Sequence, residues 1–262
     1  MRILIHGVSG RMGREALTAV YRDPDHTVAG GVRRHADSDA YPLPDGSGAV
    51  PLFPDVVSAI EACNPHVLVD FTSADVLMGA AREALPRGVH LVTGTTGLAE
   101  DQLLEIDSLA QEHGVGAVLA PNFAIGAVLL IHLAGLVARF FDYAEVMEAH
   151  HEAKIDAPSG TALAIARALA AGRGSPFTHP TPEREPIAGS LGAEHQGVGI
   201  HASRMPGRLA HHEIVLGTAG QTLSLSHDTI NRECYMPGVL AAIKQVVQYR
   251  GLVRGLDKIL GL

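Results

Sequence analysis

Two adjacent imidazoles, an ammonium and a Pro-Ser-Gly turn fall within thirteen residues, HHEAKIDAPSGTA at positions 150–162. Imidazole near neutral pH exchanges protons, and a lysine nearby adds a second donor or a counter-charge for a carboxylate. Ser159 is placed to cap a helix, leaving the amides of Gly160 and Thr161 as an anion site at its start. His150, His151, Lys154, Ser159, Gly160 and Thr161 thus describe a pocket for a small substrate with one or more carboxylates, set beside a proton donor. Adjacent side chains point to opposite faces of a regular strand. Both histidines therefore serve one substrate only if the strand ends there, as the run toward Pro158 indicates. The chain holds 15 histidines, and a histidine on a strand is commonly structural. No carboxylate or cysteine partner stands at a recognisable ligand spacing, so no metal is expected. The HHxxxDG pattern of acyltransferases fails, because Asp156 comes one residue too late and is followed by Ala157.

A second set of residues suits a phosphate. GVSGRMG places glycines at Gly7, Gly10 and Gly13, after an apolar run and before a helical pattern. There the backbone of Gly7, Val8, Ser9, Gly10, Arg11 and Met12 turns tightly and presents helix N-terminal amides to a pyrophosphate. The spacing is G-x-x-G-x-x-G rather than G-x-G-x-x-G, and a plain strand–turn–helix junction also uses glycines. The dinucleotide fingerprint places an acidic residue about 20 positions further on to hold a ribose. This chain instead has Arg33 and Arg34, a guanidinium pair that suits a 2′-phosphate, although two arginines in a loop also arise as solvated residues. NADPH is therefore expected to be accepted at least as well as NADH. Two further loops, Gly94, Thr95 and Thr96 in TGTTG and Ala120, Pro121, Asn122 and Phe123 in APNF, follow apolar runs at the place where such sheets bind ligands.

These groups need elements to hold them. RILIHG, HTVAGGV, HVLVDFT, VHLVTG and VGAVLAP read as strands, and helical patterns at 11–23, 53–65, 73–88 and 98–114 alternate with them. Ser73 is a candidate N-cap and Gly88 lies near a helix end. Residues 35–51, rich in Asp, Pro, Gly and Ser, read as loop. This alternation predicts an α/β protein with a Rossmann-like, doubly wound parallel sheet. The rhythm changes after residue 123. A long apolar helix over 124–141 precedes a strand in YAEVMEAHH, a helix in PSGTALAIARALAAG, and three β-rich segments between 197 and 229. The tail from 234 is helical again. The expected organisation is a dinucleotide-binding domain of residues 1–123 and 235–262, with a smaller α+β substrate and oligomerisation domain of residues 124–234 between its parts.

Bulk properties narrow the classes. The 262 residues are 47% hydrophobic and 18% charged, as in an ordinary folded protein. A formal charge of −8 argues against a nucleic-acid binder. The two cysteines, Cys63 and Cys234, form neither a disulfide framework nor a zinc site. The opening apolar stretch is too short for a signal peptide. The most apolar segment, 124–141, is interrupted by His132 and Arg139, so it reads as a buried or interface helix and not as a membrane span. A soluble, cytoplasmic protein is expected.

EAHHEAKIDAPSGTA, with GVSGRMG, DFTS, GTTG and APNF in this order, closely resembles the 4-hydroxy-tetrahydrodipicolinate reductase (dihydrodipicolinate reductase) family of lysine and diaminopimelate biosynthesis. The resemblance spans nearly the whole chain, and the histidine–lysine–PSGT block is its most specific part. It implies a Rossmann-like domain, a substrate domain whose sheet builds a homotetramer, and a hinge. It also implies hydride transfer from NAD(P)H to C4 of a cyclic imine-type dicarboxylate, followed by protonation of an enamine. In that light His150 is the catalytic acid/base, and Lys154 the second proton donor and carboxylate anchor. His151, Gly160 and Thr161 bind substrate, and the loops 7–12, 94–96 and 120–123 bind cofactor. One departure is Arg33, where many members carry an acidic residue that favours use of both cofactors. Pro121 and Ile125 read as loop variation. Arg204, His212, His227 and Arg232 resemble weakly patterned positions and read as structural or interface residues. The competing readings are a related two-domain reductase of another imino or amino acid, such as an aspartate dehydrogenase-like enzyme, and a non-enzymatic NAD(P)H sensor.

Overall fold

The computed structural model describes residues 1–34 and 38–262. Along the chain come β1 (Arg2–His6), α1 (Arg11–Arg22), β2 (Thr27–Val32), β3 (Ala40–Pro42), β4 (Ala49–Phe53), α2 (Val56–Cys63), β5 (Val67–Asp70), α3 (Ala74–Ala84), β6 (His90–Thr93), α4 (Glu100–Glu112) and β7 (Gly116–Leu119). Then follow α5 (Ile125–Val137), β8 (Tyr143–His150), α6 (Gly160–Arg173), β9 (Ala193–His195), β10 (Val198–Arg204), β11 (Ala210–Thr218) and β12 (Gln221–Thr229). The chain closes with α7 (Met236–Val246), β13 (Gly251–Arg254) and α8 (Leu256–Leu260). It folds as two compact units, one of Met1–Phe123 with Tyr235–Leu262, the other of Ala124–Cys234.

The first unit is built on an eight-stranded sheet ordered β13-β7-β6-β5-β1-β2-β4-β3. Every pairing is parallel except β3 with β4. β5 is buried at all four residues, VLVD, as expected of a strand covered on both faces. On α1, Gly13, Ala16, Leu17 and Val20 are buried, the i, i+3, i+4, i+7 stripe of a helix lying on a sheet. The strand order runs one way from β1 to β2 and the other way from β5 to β6. The crevice at the carboxyl ends of β1 and β5 is therefore the topological switch point, where such sheets take ligands.

Two differences from the sequence reading lie at the sheet edges. The stretch expected to be loop contains β3 and β4, although residues 35–37 fall outside the described part. Ala49–Phe53 alternates in burial as a strand does, even though it contains Pro51, a residue that disfavours strands. The helical tail ends at Val246, and β13 then pairs in parallel with β7. Ser73 does precede α3 in extended conformation, yet its side chain makes no capping bond.

The second unit holds a five-stranded mixed sheet ordered β12-β11-β8-β10-β9. β8 and β10 are parallel, as a crossover through α6 requires, and β11 runs antiparallel to β8 and β12. Leu130 and Ala134 of α5, with Ile165, Ala166 and Leu169 of α6, pack with Val146, Val198, Ile200, Ile214 and Leu216 of the sheet. The apolar segment expected to be one helix over 124–141 is helical only to Val137 and tightens into a 3₁₀ turn over Ala138–Phe140. No helix among the described residues is long and apolar enough to cross a membrane.

Candidate active site

β8 ends at His150, so the strand delivers Glu148 and His150 to one face, two residues apart. Antiparallel pairing sets His212 of β11 opposite Glu148, and parallel pairing sets Arg204 of β10 beside His150. The four side chains close into one cluster. His150 Nδ1 donates to Glu148 Oε2 at 2.5 Å. Arg204 grips the same carboxylate with both terminal nitrogens, Nη1 to Oε2 and Nη2 to Oε1, each at 2.9 Å. The amide of Ser159 donates to Oε1 at 3.0 Å. His212 lies edge-on to His150, with ring centroids 5.2 Å apart and planes at 77°. Its Nε2 is 3.1 Å from Ser159 Oγ.

Burial sets the electrostatics. It pushes the Glu148 carboxyl up, but Arg204, His150 and the Ser159 amide outweigh it and hold the group below its ordinary range, hence ionised. Burial lowers His150, Glu148 pulls it back up, and the nearby charges of Lys154 and Arg204 leave the net direction downward. His212 is pushed down to about 4 by burial and then by the field of His150, so it is neutral at physiological pH.

That displacement predicts a pH dependence of stability. The unfolded chain protonates this imidazole near the ordinary value of 6.5, whereas the folded protein resists to about 4. The contribution of His212 is complete above about pH 6.5 and is lost as pH falls toward 4. Through this residue the protein is expected to lose about 2 kcal/mol between pH 7 and pH 5. Urea unfolding at both values, for the wild type and His212→Gln, checks this: the variant loses less on acidification by that amount.

The loop after β8 leads into α6. Lys154 donates to Asp156 Oδ1 at 2.7 Å, and this contact, ahead of the opposing effect of partial burial, holds the Asp156 carboxyl below its usual range. Ser159 caps α6 as expected from sequence: its Oγ accepts from the Ala162 amide at 3.2 Å. The amides of Gly160 and Thr161 come in the turn just before that bonded amide. A Cβ on Gly160 would meet nothing within 4 Å, so there is open space beside this residue. His150 is buried, His151 half-buried just beyond the strand end, and Gly160 exposed. The six residues singled out from sequence thus run from the carboxyl end of β8, the middle strand of the second unit's sheet, to the start of α6.

In the first unit the glycine loop has the geometry of a phosphate cradle. Gly7 sits at φ +77°, a left-handed conformation open to glycine, and its carbonyl accepts from the Gly10 amide at 2.9 Å. Gly10 is the N-cap of α1. A Cβ on Gly13 would strike the backbone of Gly7 and Val8, so the helix start is held close against the loop. Val8 is fully buried and faces Gly31, so its side chain is packing. Met12, Thr72, Gly94, Thr95 and Thr96 line one cleft. Asp70 beneath it is buried and accepts from Thr95 at 2.7 Å and Thr72 at 2.9 Å, with His6 Nδ1 2.7 Å away. Burial raises that carboxyl, but His6 and the threonines bring it below its ordinary range. Arg33, half-buried, and Arg34, exposed, follow β2, and Ala120, Pro121, Asn122 and Phe123 follow β7. The Phe123 ring is buried edge-on to Phe71 with centroids 6.1 Å apart, so its side chain is packing and its backbone belongs to the loop. These residues fit a nicotinamide dinucleotide: glycines open the cradle, and loops from β1, β2, β6 and β7 end on the same edge.

The sequence reading placed Arg204 and His212 among structural or interface positions and did not select Glu148. The structure puts all three in the cluster. Glu148 carried a readable signal, its i, i+2 spacing from His150, whereas the other two arrive through strand pairing. His227 is packed on α5, where a Cβ at Gly126 would meet its ring.

A doubly wound parallel sheet with a glycine cradle at its switch point, joined in one chain to a mixed sheet carrying an imidazole–carboxylate cluster, defines a nicotinamide-dependent oxidoreductase. The chain belongs to the dihydrodipicolinate reductase family. The family's "Dihydrodipicolinate reductase, N-terminus" matches residues 1–123 and its "Dihydrodipicolinate reductase, C-terminus" residues 126–260. The chain is 46% identical to a 4-hydroxy-tetrahydrodipicolinate reductase of Dehalococcoides mccartyi, over 100% of this chain and 99% of that one. It is 43% identical to one of Moorella thermoacetica, over 99% and 98%. Among solved structures it resembles the dipicolinate-bound dihydrodipicolinate reductase of Paenisporosarcina sp. TG-14, with TM-score 0.88, 37% identity and 99% of each chain covered. An amine dehydrogenase of Mycobacterium smegmatis shares the fold at TM-score 0.66 and 16% identity, over 98% and 95% of the chains.

Proposed function

We propose that this chain catalyses the NAD(P)H-dependent reduction of 4-hydroxy-tetrahydrodipicolinate to tetrahydrodipicolinate, in the lysine and diaminopimelate route. The observation that carries the proposal is His150 at the end of β8, linked through Glu148 to Ser159, the N-cap of α6, within a family whose relatives bear that name. A small dicarboxylate fits this arrangement, and a relative with dipicolinate bound supports it. The dinucleotide, when bound by the loops 7–12, 94–96 and 120–123, would supply a hydride for C4 of the conjugated imine that forms when the 4-hydroxy group of the substrate leaves as water. The amides of Gly160 and Thr161 and the Lys154 ammonium hold carboxylate charge, and His151 adds a donor at the rim. His150, its Nδ1 engaged by Glu148, has Nε2 left to deliver the proton that the resulting enamine takes up. Lys154 is the second proton donor.

Residues 1–123 with 235–262 serve as the dinucleotide-binding domain and 124–234 as the substrate-binding and tetramerisation domain of a cytoplasmic homotetramer. Arg33 and Arg34, following β2, favour the 2′-phosphate of NADPH, with NADH also accepted. The test is consumption of NADPH and NADH with substrate generated in situ from pyruvate and aspartate semialdehyde by the preceding synthase. Oxidation that depends on the synthase supports the reading, and cofactor binding without oxidation refutes it in favour of the sensor or the related reductase. In the same assay the double variant Arg33→Ala/Arg34→Ala is expected to raise KM for NADPH by about tenfold and for NADH by less than about twofold.

A further inference from the structure

The Glu148 carboxylate is fully subscribed. Its Oε1 accepts from Ser159 N and Arg204 Nη2, and its Oε2 from His150 Nδ1 and Arg204 Nη1. An ionised carboxylate has about four lone-pair sites, and here all the partners are donors. We infer that Glu148 is the positioning residue for His150, locked by Arg204, and that it fixes the tautomer in which Nδ1 carries a proton and Nε2 faces the reaction. The inference rests on the reductase reading for its role in turnover, but not for its geometry.

Three features support it. The Glu148 side chain is buried and ionised, so it cannot swing toward water without breaking four bonds. Arg204 also donates to the Asp156 carbonyl at 2.6 Å, tying the clamp to the loop that carries Lys154. Finally, the groups around His150 divide cleanly by charge. Lys154 from the loop and Arg204 from β10 oppose an imidazolium, and His212 from β11 is neutral. Asp156 is taken up by Lys154. Glu148 is thus the anion that partly offsets the effect of burial and two cations on a protonated His150. A carboxylate that orients an imidazole and supports its charged form is a recurrent means of making histidine an acid at neutral pH.

Glu148→Gln tests this sharply. Its amide nitrogen is a donor, and whichever side it occupies it meets another donor, Ser159 N and Arg204 or His150 Nδ1–H and Arg204. The charged imidazole loses its support and its ring loses its preferred tautomer. The expected result is a fall in kcat of about 100-fold with KM for substrate within about threefold. The alkaline limb of the kcat profile, where His150 gives up its proton, moves to lower pH by about one unit or more. ¹⁵N NMR of the ring reads the geometry without turnover: neutral His150 shows a protonated Nδ1 in the wild type and loses that preference in the variant. Glu148→Asp keeps the charge while withdrawing the oxygens. It retains the Nδ1–H tautomer and costs about tenfold in kcat, and it carries the test if the glutamine variant does not fold. An unchanged kcat in either variant, or ring shifts indifferent to Glu148→Gln, overturns the inference. Absence of turnover in the wild type overturns the reductase reading instead, and the ring shifts still decide the positioning.

Discussion

His150→Gln is expected to lower kcat by about 10²- to 10³-fold while leaving the dinucleotide Kd within about twofold. The substitution preserves a donor toward Glu148 but removes the imidazole proposed to exchange a proton with the substrate. Glu148 is held ionised, Arg204 is permanently charged, and His212 is neutral to about pH 4. None of them replaces the imidazole. The residues proposed to hold the dinucleotide lie in the other unit, so their geometry does not depend on this side chain. Steady-state kinetics beside a direct NADPH titration separates the two effects. Turnover that survives the change would place the proton donor elsewhere.

Gly13→Ala is expected to be the most damaging single-methyl change in the dinucleotide unit. The added Cβ would collide with the Gly7 carbonyl oxygen, and would lie 2.8 Å from Gly7 C and 2.9 Å from Val8 Cα. All three are backbone atoms, so no rotamer change relieves the contact. Either α1 lifts from β1 or the loop opens, and both spoil the row of amides at the helix start. A cost of about 3 kcal/mol in folding stability is expected, with at least about a 30-fold rise in the NADPH Kd. Thermal melting and titration measure these, and wild-type affinity in a folded variant would contradict the cradle.

Much of this architecture is readable in the sequence because it is local. The strand–glycine–helix junction at residues 2–13, the alternation up to residue 123 and the Ser159 cap each follow from periodicity or from one residue's hydrogen-bonding habits. β3, β4 and β13 escape that reading because they are short strands at or next to the sheet's edges, whose existence depends on a neighbour. Pro51 even argues locally against its own strand. The site divides in the same way. His150, Lys154 and Ser159 sit within ten residues, and Glu148 follows from the strand period once it is applied. Arg204 and His212 join through pairing across 54 and 64 positions of chain, in the registers Arg204↔His150 and His212↔Glu148. Nothing in their immediate sequence announces that partnership.

The central claim is a hydride delivered to substrate C4 and a proton delivered from the imidazole side. Its most direct test is turnover of synthase-generated substrate with NADPH deuterated at both C4 positions of the nicotinamide. The account predicts one deuterium at C4 of the tetrahydrodipicolinate formed, and one solvent-derived hydrogen from protonation of the enamine. Oxidation of the cofactor with no deuterium in that product would contradict it.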